Sequence, residues 1–427
     1  MKYGLIGEHL GHSFSKQIQT RIAEIENVKD YDYQLVELNK EEFKEFMEKK
    51  DFKGINVTIP YKKDVIPYLD EMDESAKAIG AVNTIINVDG KLKGFNTDFG
   101  GFLYMVKAHN VHMEGKKVLI IGNGGACAAV KAVCEHENAK DIVIVSRSAN
   151  RGAISYDKMY TSHLDADIIV NTSPVGMYPN IMNAPVDVSW FHKLECVLDV
   201  VYNPILTRLC FEAQEANIKR VVGLEMLIAQ AKYTFEIFEN MSFDDSIIDE
   251  IKKEMLKDRC NIVLIGMPSA GKTTIGKMLE EKLGKEFIDL DDMIIAKVGK
   301  NIPEIFQESG EAGFRAIETE VAIEASKMNN KIIATGGGVI KHKVNMDFLH
   351  LNGITIFIDR DIDKLISSDP NRPLSSSKQA LQQMHKERYP LYQKYAAYVA
   401  VNNANVEETV DDIVNAYHSI LIDTVAD

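Results

Sequence analysis

Gly266-Met-Pro-Ser-Ala-Gly-Lys-Thr273 stands between an apolar run, Asn261-Ile-Val-Leu-Ile265, and the amphipathic stretch Thr274-Ile-Gly-Lys-Met-Leu-Glu-Glu-Lys-Leu283. The spacing is GxxxxGK[ST], and the flanks are the strand and the helix that a phosphate-binding loop requires. Glycine lets backbone N–H groups curl around an anion, and the N-terminus of the following helix favours its negative charge. Gly266, Gly271, Lys272, Thr273 and Thr274 therefore form a candidate nucleotide site. Lys272 would meet the β- and γ-phosphates and the Thr273 hydroxyl would meet Mg²⁺. A chance glycine turn is the bland alternative, and it does not require strand, loop and helix in this order.

Toward the C-terminus, Phe287-Ile-Asp-Leu-Asp291 reads as a strand end with Asp289 and Asp291 on one side, because strand side chains alternate. One carboxylate would hold the metal and the other would orient or deprotonate an attacking hydroxyl. Two strand-end caps would look the same. Arg315 and Arg388 are single arginines near aromatics, suited to a carboxylate or phosphate; alone, either reads as a surface residue. Gly336-Gly-Gly338 follows the strand KIIAT, where bare backbone approaches a ligand closely. Asn371-Arg-Pro-Leu374 lies in a polar, Ser-rich loop that would serve as a lid carrying Arg372.

In order, GMPSAGKT, FIDLDD, IPEIFQESGEAGFRAIE, TGGG, NRPL and ERYPLY resemble the shikimate kinase family across residues 260–420. The resemblance implies that Thr273 and Asp289 serve Mg²⁺ and that Lys272 holds the ATP phosphates. Asp291 would bind the shikimate hydroxyls and act as, or stand in for, the base. Arg315 and Arg388 would grip the substrate carboxylate, with Gly337 and Gly338 beside the ring. Phe306 and Phe314 would wall the pocket, and Arg372 would be the lid arginine. One departure is that LISSDPNRP has no basic residue before Arg372, where many relatives carry a further lid arginine.

Upstream, residues 242–260 are charged and weakly amphipathic and read as a last helix plus a linker, with a boundary near residue 255. Before them lie near-continuous apolar strands, VLIIG, DIVIVSR, ADIIVNT and CVLDVV, a pattern of parallel sheets covered on both faces. Ile121-Gly-Asn-Gly-Gly-Ala-Cys-Ala128 follows the first and opens a helix, a Rossmann-type turn with Cys127 at the third glycine position. The second strand ends in Ser146-Arg147-Ser148, with Arg151 four residues on and no acid. Guanidinium groups there suit a 2′-phosphate and predict NADP over NAD.

In the first hundred residues the strand candidates are Lys2–Ile6, Tyr33–Leu38, Ile55–Ile59 and Thr84–Val88, with an amphipathic helix over 39–50. Asn56-Val-Thr-Ile-Pro-Tyr-Lys62 is a strand ended by proline, leaving Tyr61 and Lys62 at its mouth. Gly94-Phe-Asn-Thr-Asp98 is a second strand end, followed by a flexible 98–101. A lysine and an aspartate converging on one substrate make a proton-transfer pair, although a lone Lys62 reads as surface and Ser13 and Ser15 read equally as helix caps.

HSFS, GINVTIPYK, GAVNT, GFNTD, GNGGA, SRSANR, NTSPVGM, DVVYNPILT and GLEMLIAQA together resemble the shikimate dehydrogenase family over residues 1–240. By that resemblance Lys62 and Asp98 are the catalytic pair. Ser13, Ser15, Thr58, Asn83, Tyr202 and Gln230 would bind dehydroshikimate or shikimate. Gly122, Gly124, Gly125, Ser146, Arg147, Arg151, Thr172 and Met177 would line the NADP site. Lys16 stands where a proline is usual and Gln19 where a histidine is usual, both beside the substrate serines.

The expected fold class is α/β throughout. Residues 1–100 with a return segment 223–245 would form a discontinuous substrate domain, and 101–222 a Rossmann-type NADP domain. Residues 246–259 would be a linker and 260–427 a P-loop domain of nucleoside-monophosphate-kinase type with a parallel sheet.

At 427 residues the chain exceeds one ordinary domain, and 45% apolar with 26% charged residues is a globular composition. The net charge of −14 disfavours nucleic acid as a partner. Five scattered cysteines read as reduced thiols in the cytoplasm, and no segment reads as a signal peptide or a membrane span. The expected partners are small molecules, and oligomeric state is not readable. Three rivals remain: a quinate/shikimate dehydrogenase fused to the kinase, a kinase for another polyol, and one half kept as a binding or scaffold module.

Overall fold

The computed structural model describes residues 2–11, 13–150, 152–365 and 378–426, so Arg151 and Arg372 lie outside the described residues. The chain divides into two compact units, Met1–Asn203 with Thr207–Lys252, and Lys253–Asp427 with Pro204–Leu206. The division falls inside a helix, Ser246–Arg259, so residues 246–259 are helical where a linker is expected.

The first unit holds two sheets. One is mixed and orders its strands Tyr33–Glu37, Tyr3–Gly7, Gly54–Val57, Thr84–Val88, Lys91–Phe95 and Glu71–Met72. The first three run parallel, and Gly54–Val57, Thr84–Val88 and Lys91–Phe95 pair antiparallel. The hairpin joining the last two turns on Asp89 and Gly90, both at positive φ, as an Asp-Gly turn does. Helix Lys40–Lys49 closes this sheet: Asn39 and Glu42 form a reciprocal capping box, and Phe43 and Met47, one turn apart, enter the core.

The second sheet is wholly parallel, in the order Lys219–Val222, Cys196–Asp199, Ile168–Asn171, Lys117–Ile121, Asp141–Val145. Its central strands are buried along their whole length, which their unbroken apolar runs require. Chain order reverses at Lys117–Ile121, and the crevice at the carboxyl end of such a strand is where open α/β sheets bind ligands.

Two helices join these sheets. Asn96 caps Thr97–Ala108 by accepting from the Asp98 N–H, so the segment expected to be flexible is the helix's first turn. It packs on Leu224–Glu239 at a distance only glycine permits: a Cβ at Gly101 would stand 2.7 Å from the Met226 carbonyl oxygen.

The second unit has one parallel sheet, ordered Glu286–Asp289, Lys331–Ala334, Asn261–Ile265, Gly353–Asp359, Tyr398–Val401. Asn261–Ile265 is the reversal point, and the phosphate loop leaves its carboxyl end. The long helix Ile302–Ser326 starts on an Asn301–Glu304 capping box and breaks at Gly310, where φ is +67°. Among the described residues no helix is long and apolar enough to cross a membrane.

Candidate active sites

Strand Gly54–Val57 delivers the chain to a turn that fixes Lys62. Tyr61 does not sit at the mouth of a site, as the sequence suggested. Its ring stacks on Phe43 at 4.2 Å and its hydroxyl donates to the Leu38 carbonyl, so it is core. That anchor directs the next side chain outward, and Lys62 Nζ lies 2.5 Å from Asp98 Oδ2. Asp98 Oδ1 accepts from Asn83 Nδ2 at 2.9 Å, while Asn83 Oδ1 accepts from the Thr97 N–H at 2.8 Å. A backbone N–H can only donate, so it orients the Asn83 amide with its nitrogen toward Asp98. The carboxylate is thus held between an ammonium and an amide, an arrangement fit for moving one proton to a substrate oxygen.

The other expected substrate residues cluster at the same edge of the mixed sheet. Ser13 and Ser15 follow the carboxyl end of Tyr3–Gly7, with their hydroxyls 3.1 Å apart. Thr58 follows the adjacent strand and is packed so closely that a Cβ at Gly7 would meet its methyl at 2.6 Å. Gln230, half-buried, stands against Gly101 one turn from Asp98, and Tyr202 meets Phe14 edge-on. Gln19 does not face this site. Wholly buried, it donates to the Ala231 carbonyl and accepts from Tyr31, tying two helices together. Lys16 reaches Gln34 on the surface.

A cavity of about 910 Å³ opens beside the parallel sheet, lined by Gly122, Gly124, Ser146, Arg147, Thr172 and neighbouring residues. Gly122 has φ +106°, and a Cβ there would meet the Ser173 N–H at 2.9 Å. Gly124 caps helix Gly125–His136 with no side chain over the helix N-terminus, leaving its N–H groups open to an anion. Cys127, at the third glycine position, points into the core, so it does not fill the cradle. The Ser146 hydroxyl is buried without a hydrogen-bond partner among the described residues, and exposed Arg147 follows it. These groups fit a dinucleotide with a 2′-phosphate. Met177 is 43% exposed, and neither it nor Gly125 lines the cavity; a Cβ at Gly125 would stand 3.8 Å from Lys62 Cδ.

In the second unit a cavity of about 400 Å³ gathers Lys272, Thr273, Thr274, Asp289, Asp291, Phe306, Phe314, Arg315, Gly337, Gly338 and Arg388. The loop cradle needs its glycines: Gly266 and Gly271 have φ of +151° and +102°. Lys272 Nζ folds back onto the Gly266 and Met267 carbonyls, at 2.9 and 3.0 Å. Asp289 and Asp291 do not share a strand face. Asp289 ends the strand and caps helix Leu290–Val298, whose first turn carries Asp291. The helical rise brings both to the cavity.

Thr273 Oγ1 donates to Asp289 Oδ2 at 3.2 Å, a hydroxyl and carboxylate pair that fits Mg²⁺ beside phosphate oxygens. Burial pushes the Asp289 carboxyl above its ordinary range. Arg388 donates to the Gly337 carbonyl, and Gly338 lies flat under Arg315.

Residues 268–418 match the shikimate kinase family model, and residues 5–85 match the model of the shikimate dehydrogenase substrate binding domain. The NADP(+)-dependent shikimate dehydrogenase of Clostridium perfringens is 37% identical over 266 residues, 59% of this chain and 97% of that protein. The chain belongs to the shikimate dehydrogenase family. It also carries a shikimate kinase domain.

Among solved structures, a chorismate mutase/shikimate 5-dehydrogenase fusion from Clostridium acetobutylicum aligns with TM-score 0.55 and 40% identity, covering 58% of this chain and 94% of that one. Shikimate 5-dehydrogenase from Thermus thermophilus, in complex with NADP(H) and shikimate, aligns at 0.53 and 27%, covering 58% and 97%.

Sequence reasoning missed several lining groups. Glu318, one turn beyond Arg315 on the kinase domain's long helix, is buried and accepts from Arg315 Nη1 at 2.7 Å. Burial raises its carboxyl above the usual range, opposed by the Arg315 charge. The i, i+3 spacing Arg315–Glu318 was the available signal. Arg360, at the end of strand Gly353–Asp359, donates to the Ser269 carbonyl. It lines both this cavity and a neighbouring one of about 680 Å³ with Asn402 and Asn403. No local pattern marks Arg360 as anything but a surface arginine.

Proposed function

We propose that the first unit reduces 3-dehydroshikimate to shikimate with NADPH and that the second phosphorylates the shikimate 3-hydroxyl with MgATP. The observation that carries the first half is the Lys62–Asp98 contact at 2.5 Å, braced by Asn83. NADPH, seated on Gly122, Gly124, Ser146 and Arg147, supplies the hydride. Lys62 gives its proton to the carbonyl oxygen that becomes the new hydroxyl, and Asp98 holds the ammonium in line. Ser13, Ser15, Thr58, Tyr202 and Gln230 orient the ring and its carboxylate.

In the second half, MgATP supplies the phosphoryl group, held by the loop N–H groups, Lys272, Thr273 and Asp289. Asp291 accepts the proton of the attacking hydroxyl, and Arg315 and Arg388 grip the carboxylate. A carboxylate between two arginines favours an acidic substrate over a neutral polyol. The described cysteines are buried and unpaired, which fits a reducing cytoplasm.

The test is ADP release from 3-dehydroshikimate and MgATP, with and without NADPH. Release only with NADPH supports both halves acting in sequence. NADPH oxidation without ADP release would defeat the kinase reading, and no oxidation would defeat the roles given to Lys62 and Asp98.

A further inference from the structure

Behind the Lys62–Asp98 pair lies a buried set of hydroxyls and amides of which the reaction above uses only Asn83. Thr234, on helix Leu224–Glu239, is 0% exposed and sits at its centre. Its Oγ1 accepts from Asn56 Nδ2 at 3.1 Å and lies 3.0 Å from Thr84 Oγ1 and 3.1 Å from Thr97 Oγ1. Thr84 donates to Asn83 Oδ1 at 3.0 Å, and Asn83 Nδ2 donates both to Thr97 Oγ1, at 3.0 Å, and to Asp98 Oδ1.

The direction of these bonds is set at both ends. Asn56 Nδ2 also donates to the Asn83 backbone carbonyl, which can only accept, so the Asn56 nitrogen faces Thr234 and its oxygen accepts from the Tyr33 hydroxyl. The Thr97 N–H donates to Asn83 Oδ1, so the Asn83 nitrogen must face Asp98. Thr234 accepts a hydrogen bond from Asn56 and donates its own to Thr84 or Thr97, joining the two ends through a hydroxyl that water does not reach. A methyl in its place would take one hydrogen-bond partner from each of Asn56, Thr84 and Thr97 at once, leaving them on their remaining bonds to Asn83 and to one another.

We infer that Thr234 is a positioning residue for the dehydrogenase reaction: its hydroxyl holds Thr97 and Asn83 in place and, through Asn83, sets the Asp98 carboxylate against Lys62. The inference rests on Lys62 and Asp98 being the reacting pair. It gives helix Leu224–Glu239 two tasks on one face. Gln230 meets the substrate, and Thr234, four residues on, stiffens the catalytic carboxylate from behind.

The experiment compares Thr234→Val and Thr234→Ser in the full chain. Valine keeps the shape and deletes the hydroxyl, whereas serine keeps the hydroxyl. For Thr234→Val the kcat of NADPH-dependent reduction should fall between ~10- and ~100-fold, the scale on which small misplacements of catalytic groups act. The KM for NADPH should hold, and the pH profile of kcat should move because Asp98 is no longer held. Thr234→Ser should restore both.

Wild-type kcat and pH profile in Thr234→Val would overturn the inference. So would a serine variant as impaired as the valine one, since keeping the hydroxyl would then not sustain the reaction. NADPH affinity, read by fluorescence, checks that the unit has folded; if the valine variant fails that check, the serine variant decides alone. Lys62→Ala separates the two readings. Full activity there would sink the catalytic pair itself, whereas an inactive Lys62→Ala beside a wild-type Thr234→Val would sink only the role of Thr234.

Discussion

Gly338 shows how closely the kinase cavity is cut at single positions. A Cβ there would stand 2.3 Å from Arg315 Nη2, nearer than any packed atom, so the guanidinium would have to swing away. Its far end is flexible, so the fold should tolerate this while the carboxylate grip should not. In Gly338→Ala the KM for shikimate should rise roughly ten- to a hundredfold, the worth of one charge-assisted contact, with the KM for ATP unchanged. Steady-state kinetics with each substrate varied in turn checks it. Residues of this kind were legible from the chain wherever a motif brings its own context. The loop 266–273 and the glycine turn at 122–125 stand between the strand and helix that their flanking patterns predicted, whereas Asp98 lies in a helix's first turn and not at a strand end. Glu318 had only its i, i+3 spacing from Arg315 to mark it, and Arg360 had nothing, because what makes it a lining group is the approach of segments distant in sequence.

Elements bring such groups together, and buried charges reveal how. Glu225, in the first turn of helix Leu224–Glu239, meets His109 and Lys252. Burial would raise its carboxyl, yet these two partners hold it below the ordinary range. Lys285 in the second unit is the opposite case. It is 3% exposed, and its Nζ donates to the Lys257 and Cys260 carbonyls and to Asn330 Oδ1, at 2.7, 3.1 and 2.7 Å. It thereby caps the C-terminal end of helix Ser246–Arg259, and among the described residues it bonds no carboxylate. Burial pushes its pKa down from 10.5 to about 8.

The sign for stability follows. Below pH 8 both native and unfolded chains carry the proton, and the cost of burying it is felt in full. Between about 8 and 10.5 the unfolded chain keeps the proton while the native one has shed it, so stability rises with pH. Urea midpoints for loss of kinase activity should therefore be higher at pH ~9.5 than at pH ~7.5. Lys285→Met should remove that difference; a midpoint that falls in the wild-type protein would count against this account.

For the whole molecule, each unit builds its cavities from its own residues, and each presents cations locally within a chain of net charge −14. Lys272, Arg315 and Arg388 line the cavity of one unit and Arg147 that of the other, so each cavity carries a local positive field. Because the shared intermediate is a small diffusible acid, the two activities should complement between molecules. Lys62→Ala should abolish only the reduction and Lys272→Ala only the phosphorylation. An equimolar mixture should convert 3-dehydroshikimate to shikimate 3-phosphate with the same lag as the intact chain at equal site concentrations. A lag seen in the mixture and absent from the intact chain would show direct transfer.

Local rules were enough to establish the α/β class, the parallel sheets and the two glycine-rich loops at 122–125 and 266–273. Unbroken apolar runs, glycine at turns and helix-capping residues act over a few neighbours and can be read in place. Contacts between distant segments were not readable this way. The meeting of Lys62 with Asp98 and Asn83, the close approach of two helices at Gly101 and the brace at Thr234 depend on how far segments approach and what they bury. Burial and distance are properties of the folded chain, because the free energy of a buried polar group is set by whichever partner the fold brings to it.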